Sequence, residues 1–392
     1  MTKYPLATTT WDQKELDAIA EVIESGRFTM GARVKAFEEE FASFVGAKFA
    51  VMVNSGSSAN LLAVGAPFFR KERPLARGDE VIVPAVSWST TYAPLAQYGL
   101  HLKFVDVDRQ TFNMCLDGLQ EAITPRTRAV FAVNLLGNPN DFGRMESMLK
   151  ERGITLLEDN CESLGATFGG QQAGTFGEIG TFSTFFSHHM CTMEGGLAVT
   201  DDEELYQIML SLRAHGWTRD LPQPNLITEG KPQTDFLEAF RFVLPGYNLR
   251  PLEMEGAIGS VQLRKLPGMI DQRRANAEIF QDLFQDHPSL RIQEEVGESS
   301  WFGFGIVLDS SVVRSRQSVL DELTQAGVET RPIVAGNFAR NETIRHYDHD
   351  IMGPLSVADE LTDWGFFVGN HHFPLDRELE LLRQIIDVSA GG

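Results

Sequence analysis

The stretch Val51-Met-Val-Asn-Ser-Gly-Ser-Ser-Ala-Asn60 reads as an apolar strand, a small polar turn and the start of a helix that runs on through Leu61-Leu-Ala-Val64. Gly56 lets backbone approach closely, and Ser57 and Ser58 add hydroxyls and N–H groups at a helix N-terminus, where the dipole favours an anion. The turn therefore suits a phosphate. An ordinary serine-rich helix cap accounts for the same residues, since neither a Walker A pattern nor GxGxxG is present.

The strand–turn–helix unit recurs outward from this point. Segments 48–53, 80–86, 102–107, 128–133 and 155–157 are short apolar runs that predict strands, and 13–24, 34–44, 116–122 and 144–151 carry helical periodicity. Strands alternating with helices predict an α/β fold around a mostly parallel sheet, with ligands at the carboxyl ends of the strands. Beyond about residue 250 the texture changes. Two consecutive helices are expected over 252–263 and 267–284, then a strand at 301–308 and helices at 319–326 and 377–386. This divides the chain into a large domain, 1–250, and a smaller α+β domain, 251–392, with the N-terminal segment packing on the latter.

The 392 residues carry 34 Lys plus Arg against 54 Asp plus Glu, a formal charge of −20. Such a balance argues against a nucleic-acid or anionic-membrane coat, which needs clustered cations. No run approaches the ~18 apolar residues of a membrane span, and Met1-Thr-Lys-Tyr-Pro-Leu6 lacks a secretory pattern, so the expected compartment is the cytoplasm. Cys115, Cys161 and Cys191 are too few and too scattered for a disulfide framework, a zinc ribbon or a four-thiolate iron–sulfur cluster. The pairs His188-His189 and His371-His372 do not predict a metal site, because neighbours on an extended strand face opposite ways.

Further candidates follow the strands. In Leu156-Leu-Glu-Asp-Asn-Cys-Glu-Ser-Leu-Gly165, Asp159 and Glu162 put two carboxylates at the ligand edge; solvated strand-end carboxylates are the alternative. Trp88, in Pro84-Ala-Val-Ser-Trp-Ser-Thr-Thr-Tyr92, offers a flat face for stacking or serves as core.

The stretch Gly180-Thr-Phe-Ser-Thr-Phe-Phe-Ser-His-His-Met-Cys-Thr-Met-Glu-Gly-Gly196 resembles the fold-type I pyridoxal-phosphate (PLP) enzymes that aminate nucleotide-linked keto sugars. In that family a lysine that holds the cofactor covalently lies six residues before the Glu of Glu-Gly-Gly. Here that position is His188, and no lysine occurs between Lys150 and Lys231. This departure is similar to the sugar-nucleotide 3-dehydratases of the same family. Tyr4-Pro-Leu-Ala, Phe28-Thr-Met-Gly, Asn134-Leu-Leu-Gly-Asn-Pro-Asn, Arg213-Ala-His-Gly-Trp-Thr-Arg219, Pro245-Gly-Tyr-Asn and Gly297-Glu-Ser-Ser-Trp-Phe-Gly-Phe extend the resemblance nearly end to end.

The resemblance implies a PLP-dependent aminotransferase fold and specific roles. Gly56, Ser57 and Ser183 would hold the phosphate, with Asn248 reaching in from the second subunit of a homodimer. Trp88 would stack on the pyridine ring, Asp159 would keep its nitrogen protonated, and Glu162 would face the ring hydroxyl. L-Glutamate would convert PLP to pyridoxamine phosphate (PMP), leaving 2-oxoglutarate. His188, a base without the power to bind the aldehyde stably, would then drive loss of the C3 hydroxyl from a GDP-linked 4-keto-6-deoxy sugar. Ammonia and a 3-deoxy-4-keto sugar would follow, on the way to colitose or another 3,6-dideoxyhexose. Ser187 and His215 would border the sugar, a structural role for His215 being the alternative, and Arg219, Arg250 and Arg331 are candidate diphosphate ligands. A related dehydratase type uses an iron–sulfur cluster, for which this chain lacks the four cysteines. Rival readings are an aminotransferase that tolerates histidine and an inactive PLP- or sugar-binding regulator.

Overall fold

The computed structural model describes residues 3–228, 234–313 and 315–391. Its strands are β1 (Phe49–Val53), β2 (Glu80–Pro84), β3 (His101–Val105), β4 (Thr127–Val133), β5 (Thr155–Asp159), β6 (Thr167–Phe168), β7 (Gln171–Gln172), β8 (Ile179–Ser183), β9 (Gly196–Thr200), β10 (Leu290–Ile292), β11 (Gly303–Leu308), β12 (Thr330–Arg331), β13 (His349–Ile351) and β14 (Gly365–Gly369). An eight-stranded sheet runs in the order β1-β9-β8-β5-β4-β2-β3-β13. From β8 to β13 every pairing is parallel, and only β9 runs against its neighbours β1 and β8. The α/β class with a mostly parallel sheet expected from the alternating pattern is therefore present.

Burial explains why these strands read as continuous apolar runs. β2 is buried at every position, as are Val51 and Val53 of β1 and Leu157 of β5. Helices cover both faces of a parallel sheet, so no strand face is left to water. The helix Gly56–Gly65 packs on β8 and β9, and its Ala59, Leu62 and Ala63 join the core with Val83, Phe131 and Ala198.

A second, four-stranded sheet, β10-β11-β14-β12, is antiparallel throughout. The chain's own start is tied to it: Tyr4 is buried in the core around Phe304 and Phe366, its hydroxyl donates to the carbonyl of Gly369 at 2.6 Å, and its N–H reaches the carbonyl of Gly327 at 3.1 Å. β13, although late in sequence, adds to the edge of the large sheet beside β3.

The expected helix pair at 252–263 and 267–284 is instead one helix of 32 residues, Glu253–Phe284, with Pro267 inside it. At 1.5 Å per residue it spans about 48 Å. An internal proline costs about 3 kcal/mol, whereas each fully buried large aliphatic side chain returns roughly 1.5–3 kcal/mol. Leu263, Leu266, Met269 and Ile270 are all buried around the proline, so packing outweighs the lost bond. The first half of this helix packs on Ala32–Val45, while Phe280 and Phe284 enter the core of the small sheet. Among the described residues no helix is long and apolar enough to cross a membrane.

Candidate active site

A cavity of about 570 Å³ opens where the carboxyl ends of the parallel strands meet the small sheet. Gly56, Ser57, Trp88, Asp159, Glu162, Ser183, Ser187, His188 and Arg331 all line it. These residues, scattered over nearly 280 positions, converge because each sits just past a strand end or in a loop that a strand end launches.

At one end is the N-terminus of the helix Gly56–Gly65. Ser55 caps it, accepting from the Ser58 N–H at 3.1 Å, so the serine-rich cap is present. A Cβ on Gly56 would lie 2.7 Å from Cβ of Ser183, which makes glycine the residue that lets the first turn rest on the end of β8. The Ser57 hydroxyl is hydrogen-bonded to that of Thr90 at 2.8 Å, and the Ser183 hydroxyl stands beside Gly56. Hydroxyls and first-turn N–H groups thus gather where the helix dipole is positive.

Asp159 forms the floor. It is 5% exposed, and its Oδ2 accepts from Nδ2 of Asn60 at 2.8 Å and from Oγ1 of Thr91 at 2.7 Å, while Oδ1 accepts from the Cys161 N–H at 3.2 Å. All these partners are neutral. A buried carboxylate without a cation is costly, so the floor is suited to a ligand that brings a protonated nitrogen. Glu162 accepts from the Leu136 N–H at 3.1 Å, and burial pushes its carboxyl up to about 7. It can therefore present either an acid or a carboxylate to a ring hydroxyl at neutral pH. Burial also pushes the Cys161 thiol well up, which removes it as a nucleophile.

His188 lies in the loop between β8 and β9. Its N–H donates to the Phe185 carbonyl at 2.9 Å, and its ring packs 5.3 Å from Phe302 and 6.1 Å from Phe185. Nδ1 is buried without a hydrogen-bond partner. Burial, reinforced by the Arg273 guanidinium, pushes the imidazole down to about 4, so it is a neutral base with a lone pair to use. His189 turns away, its Nε2 lying 3.1 Å from the Ser300 carbonyl. Opposed directions were expected from an extended strand; the pair lies in a loop instead, and both rings pack against Phe302. Among the described residues no lysine lines the cavity.

Four expected site residues are not on the cavity wall of this chain: His215, Arg219, Asn248 and Arg250. They gather elsewhere. The His215 N–H donates to the Tyr247 carbonyl at 2.6 Å, Arg250 Nε donates to Oδ1 of Asn248 at 3.0 Å, and the Arg219 guanidinium lies over Trp217, 5.0 Å from its centroid. His215 adopts φ 63°, inside a tight turn whose next residue is Gly216. Trp88, at the start of the helix Ser89–Gln97, lines the cavity yet is 57% exposed, so it is not a core residue of the single chain.

The structure adds residues that sequence reasoning missed. Asn60 and Thr91 hold Asp159, Phe302 backs both histidines, and Glu158 accepts from the Gly174, Phe176 and Gly177 N–H groups at 2.6–2.7 Å, tying that loop to the strand end. A polar Asn inside the otherwise apolar Ala59-Asn-Leu-Leu62 was the available signal for the first of these. Among the described residues no group of three or more His, Cys, Asp or Glu could hold a metal ion.

Comparison with known proteins agrees with this geometry. The GDP-4-keto-6-deoxy-D-mannose 3-dehydratase of Yersinia pseudotuberculosis is 55% identical over 387 residues, 98% of either chain. A crystal structure of a GDP-4-keto-6-deoxymannose-3-dehydratase variant with bound GDP-perosamine superposes with a TM-score of 0.96 at 54% identity, covering 98% of this chain and 100% of that one. A second structure of that enzyme, with a trapped PLP–glutamate geminal diamine, matches with the same score, identity and coverage. The family model for the DegT/DnrJ/EryC1/StrS aminotransferases matches residues 9–372. With strands, cavity and matched length in agreement, this chain belongs to the DegT/DnrJ/EryC1/StrS aminotransferase family.

Proposed function

We propose that this chain is a PLP/PMP-dependent 3-dehydratase that removes the C3 hydroxyl of a GDP-linked 4-keto-6-deoxyhexose, with L-glutamate as amino donor and 2-oxoglutarate and ammonia as co-products. The observation that carries the reading is His188 on the wall of a cavity that no lysine among the described residues lines. The cavity fits the cofactor: helix N-terminus and hydroxyls for a phosphate, Asp159 with only neutral partners for a ring N–H, Glu162 for a ring hydroxyl, and Trp88 for a ring face. When bound, the cofactor supplies an electron sink for the carbon that loses a proton.

The remaining work falls to the chain's own groups. Gly56, Ser57 and Ser183 anchor the phosphate, and Asp159 holds a proton on the ring nitrogen. His188, neutral and lacking a competing hydrogen bond at Nδ1, takes a proton from the methylene carbon beside the cofactor's amine and delivers it to the departing C3 oxygen. With no lysine to return a proton to carbon, nitrogen leaves with the product and is lost as ammonia. Ser187 borders the sugar and Arg331 faces its diphosphate. Three cysteines in the sequence leave the cluster-independent route.

The reading includes a homodimer in the cytoplasm, where nucleotide sugars and glutamate are supplied. Trp88, Phe185, Phe186 and Met193 are large apolar side chains left exposed near the cavity mouth or in the His188 loop, an arrangement that suits an interface. A second copy would bring His215, Arg219, Asn248 and Arg250 toward the cavity of the first.

The test is to incubate the protein with PLP, L-glutamate and a GDP-linked 4-keto-6-deoxy sugar, and to assay 2-oxoglutarate, ammonia and sugar mass. Equal release of 2-oxoglutarate and ammonia with a sugar lacking one oxygen is the expected result. A stoichiometric amino sugar would instead make the protein an aminotransferase, and no consumption of glutamate would favour a regulator. Borohydride treatment with PLP should leave no phosphopyridoxyl group on any lysine.

A further inference from the structure

The partners of Asp159 form a directional chain that no part of the proposed reaction requires by itself. Thr91 has one hydroxyl proton, and its Oγ1 donates it to Oδ2 of Asp159 at 2.7 Å. The contact between Thr91 Oγ1 and Ser87 Oγ at 2.7 Å must then have Ser87 as the donor. From the other side, Thr181 Oγ1 donates to Oδ1 of Asn60 at 2.6 Å, which leaves the Asn60 amide nitrogen to donate to the same Oδ2 at 2.8 Å. Ser87, Thr91, Asn60 and Thr181 are all buried, so water does not compete for these bonds. The chain therefore reads Ser87 to Thr91 to Asp159, and Thr181 to Asn60 to Asp159. Oδ2 of Asp159 thus accepts from both sides, from Asn60 and from Thr91.

Oδ2 is saturated by this arrangement. Oδ1, which accepts from the Cys161 N–H over a longer 3.2 Å, is the oxygen left to meet a ligand. Asn60 also belongs to the helix Gly56–Gly65 that begins at the phosphate end, and Thr91 to the helix Ser89–Gln97 that begins next to Trp88. One carboxylate oxygen thus joins the helix that would hold the phosphate to the helix that would set the ring face.

We propose that Asn60 and Thr91 are positioning residues for Asp159: together they direct Oδ1 at the cofactor's ring nitrogen and fix that nitrogen relative to the phosphate and stacking ends of the site. The proposal rests on the PLP reading of the cavity. It assigns no contact between either residue and the cofactor itself.

The experiment compares the parent protein with Thr91→Val, Thr91→Ser and Asn60→Ala, using PLP titrated by absorbance and ¹⁵N-labelled PLP observed by NMR. Circular dichroism and melting establish that each variant is folded. Loss of one bond to a charged acceptor should weaken PLP binding about 10- to 100-fold in Thr91→Val. The ring-nitrogen resonance should move toward its unprotonated position, kcat of the glutamate half-reaction should fall more than KM rises, and Thr91→Ser should restore all three. Asn60→Ala supplies the same comparison if Thr91→Val does not fold. A folded Thr91→Val or Asn60→Ala variant with parental affinity and an unmoved nitrogen resonance overturns the proposal alone. Failure of the parent protein to bind PLP overturns the reading of the cavity, and the proposal with it.

Discussion

Asp159 and Asn248 are both assigned by the sequence to one cofactor, yet the fold treats them differently. Asp159 ends a central strand, is buried, and is held by Asn60, Thr91 and the Cys161 N–H. Asn248 is exposed, accepts from Nε of its neighbour Arg250 through its side chain, and lies off the cavity of its own chain. The first is preorganised by the core, so its geometry exists before any ligand arrives. The second has no such support within one chain, and a second copy is the element that would give it a ligand to touch. On the proposed homodimer, such a site would have a rigid cofactor floor and a rim completed by assembly.

The comparison is broken most severely at His188, the proposed base on the rigid side. His188→Asn should lower deoxygenation about 10²- to 10⁴-fold, the usual worth of a general base, with PLP affinity changed no more than about threefold. Stopped-flow consumption of the sugar by the PMP form measures the first quantity and an absorbance titration the second. Retained turnover would remove His188 from the chemistry.

Gly56→Ala tests the floor's packing. Its Cβ would stand 2.7 Å from Cβ of Ser183, and overpacking of that kind costs about 1–3 kcal/mol. PLP affinity should fall about tenfold or more, with a lower melting temperature; a variant that binds PLP as the parent does would show that the first turn of the helix does not set the phosphate end.

Asn248→Ala should weaken PLP binding about tenfold, in keeping with loss of one bond to a charged group. Mixing it with His188→Asn sharpens the point. If Asn248 serves the opposite subunit, a mixed dimer contains one site with both defects and one with none, so at a PLP concentration that leaves Asn248→Ala mostly unloaded activity should recover above either parent variant. No recovery on subunit exchange would confine each site to one chain.

The smallest effect expected is with pH. A base works in its deprotonated form, so its rate falls as pH drops through its pKa. Burial holds His188 down at about 4, so His188 should give single-turnover deoxygenation by the PMP form no acid limb between pH 6 and 8, and any dependence there should disappear in Glu162→Gln, which removes a carboxyl held at about 7. A His188-dependent acid limb near 6.5 would contradict the buried environment seen in the single chain.

Much of the fold was legible because its signals are local. The strand ending at Val53 and the helix beginning at Gly56 announce themselves through a turn that must be small and polar, and Asp159 and Ser183 follow from strands that must be apolar. What escaped was whatever depends on distant packing. Pro267 reads as a helix break, and only Leu263, Leu266, Met269 and Ile270 buried around it keep Glu253–Phe284 whole. Thr91 and Asn60 look like an ordinary helix threonine and asparagine; their meaning appears when β5 sets Asp159 between them.

By itself, the sequence determined the α/β class, the likeness to PLP-dependent sugar-modifying enzymes, the replacement of lysine by His188, and the shortage of cysteines for a cluster. These depend on which residues are present and in what order. The tertiary structure alone decided that the Asp159 partners are all neutral, that His188 is held as a free base, and that Asn248 stands apart from its own cavity. Each of these depends on burial and direction, which arise only when segments far apart in the chain exclude water from one another.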